Sequence, residues 1–302
     1  MNLQELKGGK YRAYINLSRG GNCIRLYNEK YDAEILRVPD YRNMDNPFLY
    51  GMPVLFPVNR ISNGEFVFEG RKYTFPINEP ETNCHLHGFL HTAEFKVEEQ
   101  RVDYIKCVYE SDELYSFFPH KFKVEIMYSL SENGLLQETC VHNLSSKNMP
   151  VFLGFHTTFN VPFAKSGGAE NIRIFAEVGD VIERDISTYL PTGRIIADDV
   201  STLMNVGKFK TYHNKISKHY KAEKSGAIEI RDISNNLCVC YENDKKFGWR
   251  LFYNGDADNF ICLEPQTCMV NCQNVKGDRK GVGFTYIKPN ECETYTSKIY
   301  VK

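Results

Sequence analysis

The sequence predicts an all-β protein, a large antiparallel β-sandwich. Apolar residues recur with period two in many short stretches, the spacing of half-buried strands. Two of the clearest stretches are joined through Ser131-Glu132-Asn133-Gly134, and Asn-Gly between alternating runs is the strongest short-range hairpin signal. Long helical periodicity is missing. Many short strands with turn residues between them bury their apolar faces best as packed sheets.

In chain order, Arg12 to Leu17, Cys23 to Tyr27 and Ala33 to Val38 read as three consecutive strands separated by Gly, Asn and Asp. Phe66-Val67-Phe68, the turn Glu69-Gly70 and Lys72 to Phe75 form a hairpin pattern. Phe122, Val124, Ile126, Tyr128 and Leu130 alternate, and Leu135 to Leu144 returns beside them. Further strands are expected at Ala227–Ile230, Leu237–Tyr241, Arg250–Tyr253, Phe260–Leu263, Gly283–Ile287 and Glu293–Val301. The Lys-rich interval from Lys208 to Lys224 suits a short helix or a solvated loop. No linker, low-complexity tract or internal repeat breaks the chain, so residues 1–302 are expected to form a single domain.

Charge is nearly balanced, 37 Lys and Arg against 38 Asp and Glu for a formal net charge of −1. That gives no basic footprint for nucleic acid or a membrane surface. The first ten residues lack the apolar centre of a signal peptide, and no apolar run approaches a membrane span. A cytoplasmic protein, monomeric or homodimeric, is the expectation. Of the ten cysteines, none falls in paired C-x-x-C motifs; reduced core thiols are expected.

Four stretches could do chemistry. In Asn259-Phe260-Ile261-Cys262-Leu263-Glu264-Pro265-Gln266-Thr267 an apolar strand delivers one carboxylate, and Pro265 is expected to stop the strand on the next residue. Alternation sends Ile261 and Leu263 to one face and Cys262 and Glu264 to the other. A glutamate there is either paired or functional, because an unpaired buried charge is costly. His156, in Gly154-Phe155-His156-Thr157-Thr158-Phe159-Asn160, is a polar group on an aromatic strand, as a core histidine or as a catalyst. Asn59 and Arg60 follow a proline-bracketed apolar segment, where an arginine fork beside an amide can bind hydroxyl or carboxylate oxygens or simply satisfy loop carbonyls. His85 and His87 would share one face of a strand, and with Glu94 they also allow a cupin-like metal site.

Taken together, L-F-P-x-N-R-I-x-x-G, L-H-G-F, G-F-H-x-x-F-N and L-E-P-Q-T, in that order, resemble the aldose 1-epimerases, the galactose mutarotase family, from about Cys23 to Tyr300. The resemblance implies a galactose mutarotase-like supersandwich with a sugar cleft on the concave face of one sheet. It also implies roles: Glu264 as general base on the C1 hydroxyl, His156 as general acid on the ring oxygen, His87 beside the ring oxygen, and Asn59 and Arg60 as substrate contacts. The implied reaction is the interconversion of α and β anomers of a free hexose. It requires no cofactor and no metal, in keeping with a sequence that has neither a dinucleotide glycine fingerprint nor a P-loop.

The sequence departs from the family where an aspartate normally precedes a histidine, which here reads Ser217-Lys218-His219-Tyr220, and where a glutamine is expected near Phe247-Gly248-Trp249-Arg250-Leu251. A hexose-6-phosphate 1-epimerase, with Lys218 and Arg250 as phosphate ligands, is the alternative in the same fold. A non-catalytic sugar-binding protein is the alternative outside enzymes. Glycoside hydrolysis ordinarily needs two carboxylates, and only Glu264 stands out.

Overall fold

The computed structural model describes residues 2–40, 46–111, 117–224 and 226–302. Two eight-stranded sheets dominate, and every strand pairing in them is antiparallel. One runs, edge to edge, Lys96–Arg101, Tyr104–Ser111, Phe122–Ser131, Gly134–Asn143, Cys292–Val301, Leu237–Asn243, Ile228–Asp232 and Ile172–Phe175. The other runs Pro191–Ile196, Val178–Arg184, Ser217–Ala222, Trp249–Tyr253, Phe260–Gln266, Gly154–Phe155 and Val54–Leu55, with Thr157–Asn160 also paired to Phe260–Gln266. A four-stranded sheet at the start of the chain comprises Leu3–Gly8, Tyr11–Asn16, Asn22–Asn28 and Ala33–Glu34. One continuous apolar cluster, from Leu6 to Ile299, draws on all three sheets.

The alternating stretch at Phe122 does what its pattern dictates. Phe122, Val124, Ile126, Tyr128 and Leu130 are all buried in that cluster, and the Asn-Gly turn sets Ser131 opposite Gly134 at the end of the hairpin. No helix among the described residues is long and apolar enough to cross a membrane.

Several expectations are corrected. The strand carrying Glu264 does not stop at Pro265; it continues to Gln266, with Pro265 opposite Arg250. The neighbouring strand explains how a proline fits here. Gly154 pairs with Gln266 and Thr157 with Leu263, but the ladder is interrupted between them, at Phe155 and His156. The missing proline N–H therefore falls where no ladder bond is made. His156 donates its own N–H to Pro53 instead, at 3.0 Å.

Lys208 to Lys224 contains the strand Ser217–Ala222. The helix precedes that interval, at Asp199–Asn205, and is capped by Asp198, whose carboxylate accepts from the Ser201 N–H at 3.0 Å. Ala33 to Val38 keeps only Ala33–Glu34 as strand. Not every cysteine fills the core: Cys292 is exposed.

Among the strands not expected from the sequence, two show the reason. Lys96–Arg101 is exposed throughout, so nothing forces apolar residues onto one face. Val178–Arg184 shifts register between Val178 and Val181 against one neighbour, and between Ile182 and Arg184 against the other. Such irregularities break the period-two signal.

Candidate active site

The register that interrupts the ladder also builds the site. With Gly154 opposite Gln266 and Thr157 opposite Leu263, His156 falls opposite Glu264 on the adjacent strand. Ile261 and Leu263 join the core cluster, and the alternation sends Glu264 to the other face, into a cleft of about 760 Å³. Here Nε2 of His156 lies 3.2 Å from Oε1 of Glu264, and both side chains are almost wholly buried.

The other carboxylate oxygen is held from behind. Gln266 Nε2 donates to Glu264 Oε2 at 3.2 Å, and Asn59 Nδ2 donates to Gln266 Oε1 at 3.2 Å. Asn59 is left-handed, with φ 60°, and its Oδ1 also accepts the Arg60 N–H at 2.9 Å. Asn59 is thus buried behind Gln266 and reaches the site through that amide.

The L-H-G turn has a physical reason. Strand Cys84–Leu86 ends where His87 (φ 62°) and Gly88 (φ 65°) are successively left-handed. A side chain on Gly88 would meet Phe56 O at 2.1 Å, so only glycine fits. This turn brings the imidazole of His87 into the cleft, 5.3 Å from that of His156 between ring centres. His85 does not share its face. It bonds to Pro76 O at 2.7 Å and packs on Phe75, because the chain leaves the strand before a second in-register position exists. The metal reading of His85, His87 and Glu94 therefore fails on geometry, and these three are not among the described groups whose ligand atoms converge.

Phe48 closes one wall, with ring centres 4.6 Å from His87, 4.6 Å from His91 and 6.0 Å from His156. Arg60 lines the cleft and is clamped by Glu79 through two hydrogen bonds of 2.6 Å, with the Tyr189 ring 4.7 Å from its guanidinium carbon. Across the cleft Arg184 donates to Ser217 O at 2.6 Å and Ser217 Oγ at 3.0 Å. Arg184, Phe48 and Gln266 were missed in the sequence. Only Gln266 carried a local signal, through its i, i+2 spacing from Glu264 on a strand.

Burial decides the electrostatics. It pushes the Glu264 carboxyl up to about 8, against smaller opposing effects from Gln266, Arg184 and Arg60. Burial likewise pulls His156 down to about 4 and His87 well below the usual imidazole range. Burial thus disfavours the charged form of both groups and favours a neutral pair, in which the glutamic acid can donate to His156 Nε2.

The profile of the aldose 1-epimerases matches residues 3–299. The chain belongs to the aldose 1-epimerase family. It is similar to a galactose mutarotase-like protein from Clostridium acetobutylicum, with 32% identity and a TM-score of 0.93 over 99% of this chain and 94% of that one. An Escherichia coli protein described as a putative aldose 1-epimerase, 18% identical with a TM-score of 0.82 over 100% of this chain and 99% of that one, shares the fold.

Among curated relatives, plasmid LacX of Lactococcus lactis is 26% identical over 70% of this chain and 72% of its own length. Rat galactose mutarotase is 25% identical over 68% of this chain and 56% of its own length. The match to YihR of Escherichia coli, 29% identical, spans 50% of this chain and about half of that protein, 48%.

In this epimerase-family chain the stretches around Ser217 and Leu251 border the cleft. Ser217 lines the cleft and is held by Arg184, and Leu251 lies directly opposite Glu264. Lys218 is paired with Asp198. Arg250 is buried and donates to the carbonyls of Lys224 and Gly226 at 3.1 and 2.9 Å.

Proposed function

We propose that this chain is an aldose 1-epimerase acting on a free, neutral hexose. The observation that carries the proposal is the buried His156–Glu264 pair, 3.2 Å apart and facing the cleft. Anomer exchange opens the hemiacetal, rotates C1–C2 and closes the ring on the other carbonyl face. Opening requires a proton to leave O1 and another to reach O5.

In the ionic arrangement of the pair, Glu264 takes the O1 proton while His156 gives its proton to O5. What remains is a neutral glutamic acid and a neutral imidazole, the arrangement that burial favours, so the open-chain sugar sits against an uncharged pair. Closure on the other face runs the same transfers backwards. Each positioned proton transfer contributes typically about 10²–10⁴-fold. His87 lies where it can hold the ring oxygen and a neighbouring hydroxyl. Arg60 and Arg184 offer N–H groups to further hydroxyls, and Asn59 acts by fixing Gln266 against Glu264.

A neutral sugar is favoured over a phosphate ester because Lys218 and Arg250, the two phosphate ligands expected from the sequence, are engaged elsewhere, by Asp198 and by backbone carbonyls. Arg184 alone is a smaller cationic set than a phosphate site normally gathers. Arg60 is neutralised by Glu79. The test is polarimetry on freshly dissolved α-D-glucose, α-D-galactose and α-D-glucose 6-phosphate. Accelerated mutarotation of a free hexose is expected. The highest kcat/KM on the phosphate ester would overturn the substrate assignment, and sugar binding without acceleration would leave a binding protein.

A further inference from the structure

The geometry points to a second site, on the sheet that does not carry the catalytic pair: we propose that Cys140, His142 and Cys292 bind a divalent cation of the zinc type. One ligand atom from each of the three residues lies within 4.8 Å of those of the other two. The pairing of strands Gly134–Asn143 and Cys292–Val301 creates this cluster. His142 is directly opposite Cys292, and Cys140 precedes His142 by two on the same face. Val141, between them, faces the core. Cys140, buried, and Cys292, exposed, therefore lie on the face of the sheet opposite Val141, beside the polar His142, outside the apolar core cluster.

The imidazole has a carboxylate behind it. Its Nε2 lies 2.9 Å from Glu125 Oε2, on the neighbouring strand Phe122–Ser131. With the carboxylate accepting from Nε2–H, Nδ1 is the ring nitrogen left to serve a metal. Glu125 is itself fixed, because Lys106 and Lys123 both pair with its other oxygen, Oε1, each at 2.9 Å. A carboxylate behind a histidine is the recurrent outer support of metal-binding imidazoles.

Two thiolates and an imidazole match the borderline-soft preference of Zn²⁺, and three protein ligands leave a fourth tetrahedral position for water. Binding forms two S–metal bonds and one N–metal bond and releases the two thiol protons to solvent. Entry is possible because Cys292 is exposed.

The other converging group, Glu229, Cys238 and Cys240, is less suited. Its only carboxylate is already paired with Arg231 at 2.5 Å and Lys302 at 2.7 Å, and it contains no imidazole.

The test uses the full chain, reduced and stripped with a chelator, titrated with Co²⁺ and then Zn²⁺. One equivalent of Co²⁺ should produce a thiolate-to-metal charge-transfer band with tetrahedral ligand-field bands, bleached by one equivalent of Zn²⁺. Cys292→Ser, at an exposed position that leaves the core intact, should abolish the charge-transfer band or weaken affinity at least 100-fold. Glu125→Gln should weaken affinity about 10–100-fold. Cys238→Ser with Cys240→Ser should change nothing, and mutarotation should be the same with and without metal. Absence of the charge-transfer band in the unaltered chain would overturn the proposal. So would a band that survives Cys292→Ser with unweakened affinity or disappears with Cys238 and Cys240.

Discussion

His156 Nε2 and Glu264 Oε1 stand 3.2 Å apart on adjacent antiparallel strands, opposite one another in register and screened from water. The pair is a direct product of strand pairing. Its chemistry is set by burial, which drives the two groups' proton affinities in opposite directions and leaves one proton between them.

His156→Asn and Glu264→Gln should each lower kcat by about 10²–10⁴-fold, because each keeps shape and hydrogen bonding but removes one proton transfer. Circular dichroism should show an unchanged fold. A wild-type rate from either variant would remove that residue from the mechanism. His85→Ala should leave the rate within a few-fold of wild type, since its imidazole is turned to Pro76.

The pH profile of kcat/KM should be bell-shaped. Activity needs one proton on the pair; both sites fill as pH falls through about 4 and both empty as pH rises through about 8. Mutarotation initial rates from pH 3 to 10, at fixed ionic strength, test this. A profile without a fall on the alkaline side would show that burial does not hold the Glu264 proton.

Stability should carry the same signature. Glu264 binds its proton more tightly folded than unfolded, so its contribution is fully present below the unfolded value, 4.5, and is lost as pH rises through about 8. Glu264→Gln lacks that dependence. The Tm of the variant should therefore gain on wild type across this window and hold its lead above it. Parallel temperature dependence of the two proteins at every pH would contradict the assignment.

Gln266→Leu should lower kcat more than it raises KM, by about 10-fold, because it frees the Glu264 carboxylate without touching a sugar contact. It also leaves the Asn59 amide without its acceptor. Asn59→Ala should act in the same direction and add little to Gln266→Leu, since the two act as one chain. Full additivity in the double variant would mean that Asn59 acts independently of Gln266.

Lys218→Ala should leave the preference between free and phosphorylated hexose unchanged and lower stability. Asp198, largely buried, would lose a charged partner while keeping the Tyr220 hydroxyl at 2.6 Å. The loss should be about 1 kcal/mol or less, since Asp198 keeps the Tyr220 and Ser201 donors and the ion pair is partly screened by solvent, measured by urea unfolding. A selective loss of turnover on glucose 6-phosphate would instead place Lys218 at the substrate.

The sequence by itself determined what short-range pattern can encode. Alternation at Phe122–Leu130 and the turn at Asn133-Gly134 specify a hairpin without reference to the rest of the chain, and the alternation at Ile261–Glu264 specifies which face the carboxylate takes. The motifs around Asn59-Arg60, His87, His156 and Glu264 marked the family. Tertiary structure decided the rest, because it depends on partners distant along the chain. Pro265 could remain inside a strand only because the ladder of residues 154–157 is interrupted opposite it. His85 and His87 parted because two left-handed residues end their strand.

Arg184 was hidden by the register shifts of its strand. The fate of Lys218 depended on Asp198, twenty residues away and itself a helix cap. Above all, the position of the shared proton was open in the sequence, since attraction and burial oppose one another for such a pair; enclosing both groups in the sheet gave the decision to burial.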